Sequence, residues 1–283
     1  MPGPSTEAPV YFPVRRPRPW GQLLQAAAVV AIIPLIALPF LRSGVFDMST
    51  VGRYLFGPAI LEAVWGTLSL ATLSTALAIV LGTGVALLRI SGNAVLRAAA
   101  AGFVFVFRGT PMLVQLLIWF YAVPRVIGRV SLSIPFTDVV LVADQPASAF
   151  FTPFVAGLFA LTLAESAYMA EVIRSGIQGV DQGQRDAARA LGVPNGKITR
   201  QIVLVQAFRI VMPAVGNQYI LMIKNTSLAY AIGYSELLLS VSRVYYTNFK
   251  YLELLLVAAF WYLLLTALIT VLQHVLERKF PAR

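Results

Sequence analysis

Hydrophobic and polar positions alternate along this chain on a coarse scale, in long apolar runs separated by short charged segments. Six runs reach the roughly 20 residues that a membrane-crossing helix needs. The first is 22–41, QLLQAAAVVAIIPLIALPFL. The others run from about Ile60 to Leu88, Val95 to Ala122, Phe150 to Val172, Ile210 to Leu239 and Leu252 to Leu276. Such runs are too long for barrel strands, and a helix satisfies its own backbone polar groups in lipid, so each is predicted to be helical. The pattern predicts an all-α integral membrane protein with about six transmembrane helices.

Composition agrees. Of 283 residues 58% are hydrophobic and 12% charged, about half the usual charged share of ~25%, and the mean hydropathy is +0.78. There is no cysteine, which excludes disulfides and thiolate metal sites. The single histidine, His274, reads as an interfacial residue, and no metal site is expected. Residues 1–19 are polar, basic and proline-rich and read as a disordered tail; the helix over 20–41 is too long for a cleaved signal. The net charge of +10 needs no nucleic acid to explain it. Fourteen of the 22 Lys and Arg residues fall on one face, in the N-terminal tail, the 89–97 loop, the 173–209 segment and the C-terminus. Six fall on the other face, and Arg108 and Lys224 lie within spans. The excess marks the cytoplasmic face, so both termini and the 173–209 segment are expected in the cytoplasm.

That segment reads as a helical hairpin. Gln182 to Leu191 is rich in helix formers, Gly192 stands where a left-handed glycine ends a helix, and Asn195 is placed to cap a second helix. On the second helix Ile198, Ile202, Val205 and Arg209 fall at helical spacing. Two readings fit equally: a knob seated in a pocket of a cytosolic partner, or an amphipathic hairpin lying on lipid headgroups.

The order Asp186-Ala187-Ala188, three residues, Gly192, nine residues, Ile202, one residue, Leu204 resembles the EAA loop of bacterial ATP-binding-cassette (ABC) importer permeases. Three further motifs, RGTPMLVQL (Arg108–Leu116), AYMAEVIRSGIQGV (Ala167–Val180) and KNTSLAYAIGYSELL (Lys224–Leu238), resemble the polar amino-acid subfamily, whose members carry histidine, glutamine, glutamate, arginine or opines. The likeness runs from about Glu62 to the C-terminus. Asp186 replaces the usual Glu and keeps its charge, whereas Val205 replaces a usual Pro and removes a helix-entry kink. The resemblance implies a five-helix type I permease domain over 60–283, with 20–41 as an added helix and a coupling loop at about 178–209. It implies a bacterial cytoplasmic-membrane location. It also implies an ABC ATPase dimer that carries the ATP and Mg, a second permease subunit, identical or paralogous, and an extracytoplasmic amino-acid-binding protein. Asp186, Ala187, Ala188, Gly192, Ile202 and Leu204 would make the ATPase coupling.

Ionisable residues in membrane helices are costly to bury and default to functional candidates. Lys224, with Asn225, Thr226 and Ser227, lies near the middle of the fifth run, where Gly233 offers a break. A zwitterionic amino acid needs a cationic patch for its carboxylate and an acceptor for its ammonium. Lys224, Asn225 and Thr226 would supply the first and Glu165 the second, unless Glu165 and Lys224 simply neutralise each other. Arg108 precedes Gly109, Thr110 and Pro111, a discontinuity in the third run, and Glu171 is placed to orient Arg174. No catalytic residue or cofactor site is expected: GVPNGKIT (Gly192–Thr199) has the wrong spacing for a phosphate loop and lacks its Ser or Thr. The alternative is a self-contained secondary transporter or channel with Glu165 as a proton or ion site. Such folds usually repeat themselves within one chain, and no repeat is visible here.

Overall fold

The computed structural model describes residue 31, residues 46–135 and residues 140–279. The tail over 1–19 and nearly all of the helix expected over 20–41 lie outside the described residues. The chain divides into two compact units, residues 1–48 and 49–283, and the second is described here.

In chain order the elements are α1 (Met48–Leu55), α2 (Pro58–Arg89), α3 (Ala94–Gly109), α4 (Met112–Leu117), α5 (Val123–Ile127), β1 (Arg129–Ser133), β2 (Val140–Pro146), α6 (Ala147–Phe150), α7 (Pro153–Gln178), α8 (Gln182–Ala190), α9 (Asn195–Lys197), α10 (Leu204–Asn225), α11 (Leu237–Asn248) and α12 (Tyr251–Lys279). The π-helical turns Ile118–Ala122 and Ile198–Val203 join α4 to α5 and α9 to α10, and a 3-10 segment, Thr226–Ile232, extends α10. Four helical stretches are long and apolar enough to cross a membrane: Pro58–Arg89, Pro153–Gln178, Asn195–Ile232 and Tyr251–Arg278. Ala94–Gly109 and Met112–Ile127 are long and apolar enough only as a pair, and they meet at a bend of 100°.

Local chemistry sets these boundaries. Pro58 and Pro153 occupy the first turns of α2 and α7, where the missing N–H is no loss. Asn93 Oδ1 accepts from the Val95 and Leu96 amides to start α3, and Thr152 Oγ1 accepts from Val155 N to start α7. At Gly233 the backbone turns left-handed, φ +78°, which ends the fifth run. That run was expected to reach Leu239; it stops at Ile232, and Leu237 onward forms the separate helix α11.

α2 and α7 run parallel along a seam of small residues. Gly157 meets Leu70 and Gly82 meets Met169, so partners stand 87 residues apart at both places. A Cβ at Gly82 would lie 2.6 Å from Met169 Cβ and 2.8 Å from Ser166 O, so only glycine allows this approach. α7 and α10 are antiparallel, with Gly176 against Ala207 and Val211. Leu70, Leu116, Leu161, Met222, Ile223, Leu237 and Leu254 are buried where these helices meet. Among the described residues the hairpin of β1 and β2 is the one departure from helix and loop. Arg129 pairs with Pro146 and Val130 with Gln145 in an antiparallel register, and Arg129 forms an exposed ion pair with Asp144 at 2.8 Å. The hydrogen bonds and charge of Arg129 hold the Asp144 carboxyl below its ordinary range.

Candidate functional site

The segment between α7 and α10 builds a small body of its own. Asp181 Oδ1 accepts from Gln184 N to start α8. At its far end Gly192 adopts φ +76°. The Gly192 amide donates to Arg189 O at 2.9 Å and the Val193 amide to Ala188 O at 3.1 Å, the paired bonds that close a helix on a left-handed glycine. Val180, Ala188, Ile198, Val203 and Ala207 bury themselves together beneath α8. The body is tied back on both sides: the Arg185 guanidinium donates to Ile177 O at the end of α7, and Gln206 Nε2 donates to Gln184 Oε1.

This geometry sorts the six residues expected to make the coupling. Asp186, Ala187, Gly192 and Leu204 are exposed, Asp186 in an ion pair with Arg189 at 3.1 Å. Ala188 is buried and Ile202 half-buried, so these two hold the body together and do not face outward. Asn195 does not cap the second helix: Pro194 takes the capping position, and Asn195 Oδ1 instead accepts from Arg189 Nε. The expected face Ile198-Ile202-Val205-Arg209 is also displaced. The π turn inserts one residue, so Ile198, Val203 and Ala207 turn inward and Val205 and Arg209 outward. A further residue belongs to the exposed surface: Leu191 at the helix end is 83% exposed, the most prominent apolar side chain of the body. A large apolar residue directly before the helix-ending glycine was the signal for it.

Within the spans the expected residues separate by burial. Glu165 on α7 is only 2% exposed, and its Oε1 has no hydrogen-bond partner. Lys224 is exposed and forms no ion pair with Glu165 or with any other described carboxylate, so mutual neutralisation is not what holds them. Asn225 and Ser227 are half-buried, and Ser227 Oγ donates to Lys224 O at 2.7 Å. Thr226 is fully buried and its hydroxyl donates to Ile223 O, so it faces away from the open side on which Lys224 lies. Arg108, at the end of α3, is exposed, with its guanidinium 5.0 Å from the centre of the Tyr168 ring. Glu171 bridges two cations, Arg174 at 2.6 Å and Arg89 at 3.1 Å, tying α2 to α7 at their shared end.

Two buried carboxylates among the described residues, Glu236 and Glu253, escaped sequence reasoning. Glu236 is fully buried; it accepts from the Leu238 and Leu239 amides at the start of α11 and from Tyr262 Oη of α12 at 2.6 Å. The sequence signal was an acidic residue just before an apolar helical run. Among the described residues no group of three His, Asp or Glu is placed to hold a metal ion.

Cations lie open on helices long and apolar enough to cross a membrane, and a short helix with a core of its own stands between two of those helices. The arrangement fits a permease, a membrane subunit that forms a path. The chain belongs to the family of binding-protein-dependent transport system inner membrane components, which it matches over residues 76–281. It is thus a multi-pass inner-membrane protein. It is 37% identical over 282 residues to the arginine transport system permease protein ArgU of Corynebacterium glutamicum, covering 99% of this chain and 86% of that one. It is 32% identical over 222 residues to the arginine transport system permease protein ArtQ of Bacillus subtilis, covering 78% and 92%. It is 36% identical over 213 residues to the nopaline transport system permease protein NocM of Agrobacterium fabrum, covering 75% and 84%. Among solved structures, a crystal structure of an amino acid ABC transporter with histidines superposes with a TM-score of 0.70 at 29% identity, over 83% of this chain and 99% of that chain.

Proposed function

We propose that this chain is the membrane-spanning half of an ATP-driven importer for a polar amino acid and works by alternating access. The observation that carries the reading is the exposed end of α8, with Leu191 and the Asp186–Arg189 pair presented on a body that has its own core. A separate ATPase dimer, holding ATP and Mg, receives this end. Its closure moves α8, and the bonds from Arg185 to Ile177 and from Gln206 to Gln184 pass that movement to α7 and α10. A second permease subunit, identical or paralogous, covers the open faces of Arg108 and Lys224, and an extracytoplasmic binding protein delivers the substrate. In this reading both termini are cytoplasmic, residues 1–19 are a tail, 20–41 an added helix and 60–283 the permease domain. Lys224, Asn225, Ser227, Arg108 and Glu165 border the pathway, and Thr226 braces it from behind. Arginine is the substrate to try first, because the likeness to the arginine permease ArgU extends over 99% of the chain.

The test is purification of the tagged chain from its own membranes in mild detergent, beside a Gly192→Pro variant. The expected result is an ATPase that accompanies the wild type and is lost from the variant. A chain that purifies alone and still moves solute in liposomes would overturn the reading.

A further inference from the structure

We propose that the Arg108 guanidinium, laid over the Tyr168 ring, is the receptor for the α-carboxylate of the amino acid as it crosses the middle of the membrane. The inference rests on the importer reading above and assigns one group of its substrate to one side chain.

Arg108 lies next to the last residue of α3, just before the 100° bend, and its Cζ stands 5.0 Å from the Tyr168 ring centre. Among the described residues it makes no hydrogen bond or ion pair. The two carboxylates on the same helix as Tyr168 are not open to it: Glu171 is occupied by Arg89 and Arg174, and Glu165 is buried. A guanidinium carries five donors and no acceptor, and a charge within a membrane span that the protein leaves without partners marks a substrate or ion pathway. The ring face satisfies the charge of the guanidinium in part, but it takes none of the N–H bonds. What remains is a flat fork of donors held beside the Tyr168 ring with its partners missing. The complement of that fork is a carboxylate, which Arg engages through two parallel bonds. The relatives are named for arginine and for glutamine. These differ in side-chain charge and share the α-carboxylate, so a receptor for that group suits a path whose side-chain selectivity is set elsewhere.

Depth supports a relay. Gly176 faces Ala207 and Val211, so counting back along α7 and forward along α10 brings Lys224 level with about Leu161. That is seven residues from Tyr168, or about 10 Å at 1.5 Å per residue. Lys224, also exposed and unpaired, is the cation met nearer the extracytoplasmic side, and Arg108 is the next one inward.

The test uses the whole importer, permease with ATPase and binding protein, in liposomes, with L-arginine as substrate. The purified permease–ATPase complex is also titrated without the binding protein, with L-arginine and with L-argininamide, which lacks the carboxylate charge. The wild-type complex is expected to bind arginine at least tenfold better than the amide. Arg108→Gln should erase that preference and raise the KM for import tenfold or more. Arg108→Lys should keep part of the preference, Tyr168→Leu should weaken it about threefold, and Tyr168→Phe, which keeps the ring face, should leave it intact. A wild-type importer that moves arginine while Arg108→Gln discriminates as the wild type does overturns the inference and leaves the importer reading standing. So does failure of both Arg108 variants to assemble alongside a Tyr168→Leu variant with wild-type discrimination. A wild-type importer that moves no amino acid overturns the reading on which the inference rests.

Discussion

Replacing Gly192 isolates the backbone turn that shapes the body carrying α8, the proposed ATPase contact. A Cβ there would meet no heavy atom within 4 Å, so a small side chain adds no clash. The change acts through φ, which stands at +76°. The left-handed conformation costs an L-residue about 1–2 kcal/mol relative to glycine, and asparagine tolerates it better than alanine. That energy lowers the population of the native turn by about five- to thirty-fold, so Gly192→Ala should weaken capture of the ATPase by a similar factor. Gly192→Asn should weaken it less. Gly192→Pro, with φ confined near −65° and no N–H to donate to Arg189 O, should abolish it. The assay is titration of the ATPase onto the immobilised permease, with the melting temperature of the permease alone as control. The spans should melt as in the wild type in every variant. If alanine binds the ATPase as well as glycine does, or if asparagine and alanine are equally damaging, the backbone is not the limiting feature and the reasoning fails.

Other outcomes follow from the same geometry. Leu191→Asp should leave the fold and melting temperature unchanged and reduce ATPase capture severalfold, because the side chain lies free of the chain's own core; a normal binding curve would remove Leu191 from the interface. Gly82→Ala should lower stability by about 1–3 kcal/mol, the usual range for overpacking, since its Cβ falls on Met169 Cβ and the Ser166 backbone; melting in detergent checks it. Tyr262→Phe removes one hydrogen bond to the buried Glu236 carboxyl and should cost about 0.5–1.5 kcal/mol, read by the same melt. The Arg129–Asp144 pair makes a pH prediction. Asp144 titrates below its unfolded value, so the pair's contribution is complete above an ordinary aspartate pKa of about 3.9 and fades as pH falls through the lowered one. Protease sensitivity of the hairpin should rise only in that acid range, and Arg129→Gln should show no such step.

Much of this protein is legible along the chain. Apolar runs longer than a bilayer requires leave helix as the only way to satisfy their backbone, so four of the five described spans stand within a few residues of the expected places. The break at Thr110–Pro111 and the left-handed Gly192 and Gly233 are legible for the same local reason, since proline and glycine restrict or release single φ angles. Where the sequence misled, the cause was not local. The π turn over Ile198–Val203 shifts the inward face by one residue, because burial of Val203 and Ala207 outweighs regular helical spacing. The hairpin from Arg129 to Pro146 forms by pairing residues up to 17 positions apart, which no window of periodicity senses.

The same division holds for the site. Residue type and span position alone marked Arg108, Glu165 and Lys224 as worth attention, because charge within an apolar run is expensive wherever it points. Which of them is open and which is closed depends on the helices that pass beside them. α7 runs through the centre and buries Glu165, α10 presents Lys224 on its uncovered side, and α3 ends where Tyr168 offers its ring to Arg108. Glu236 gained its meaning from Tyr262, 26 residues away along the chain and 2.6 Å away in space. Propensity, chain stiffness and the solvation of the backbone act over a few residues and can be read in order. Burial and partnership are set by which helix faces which, and that is decided only when the spans pack.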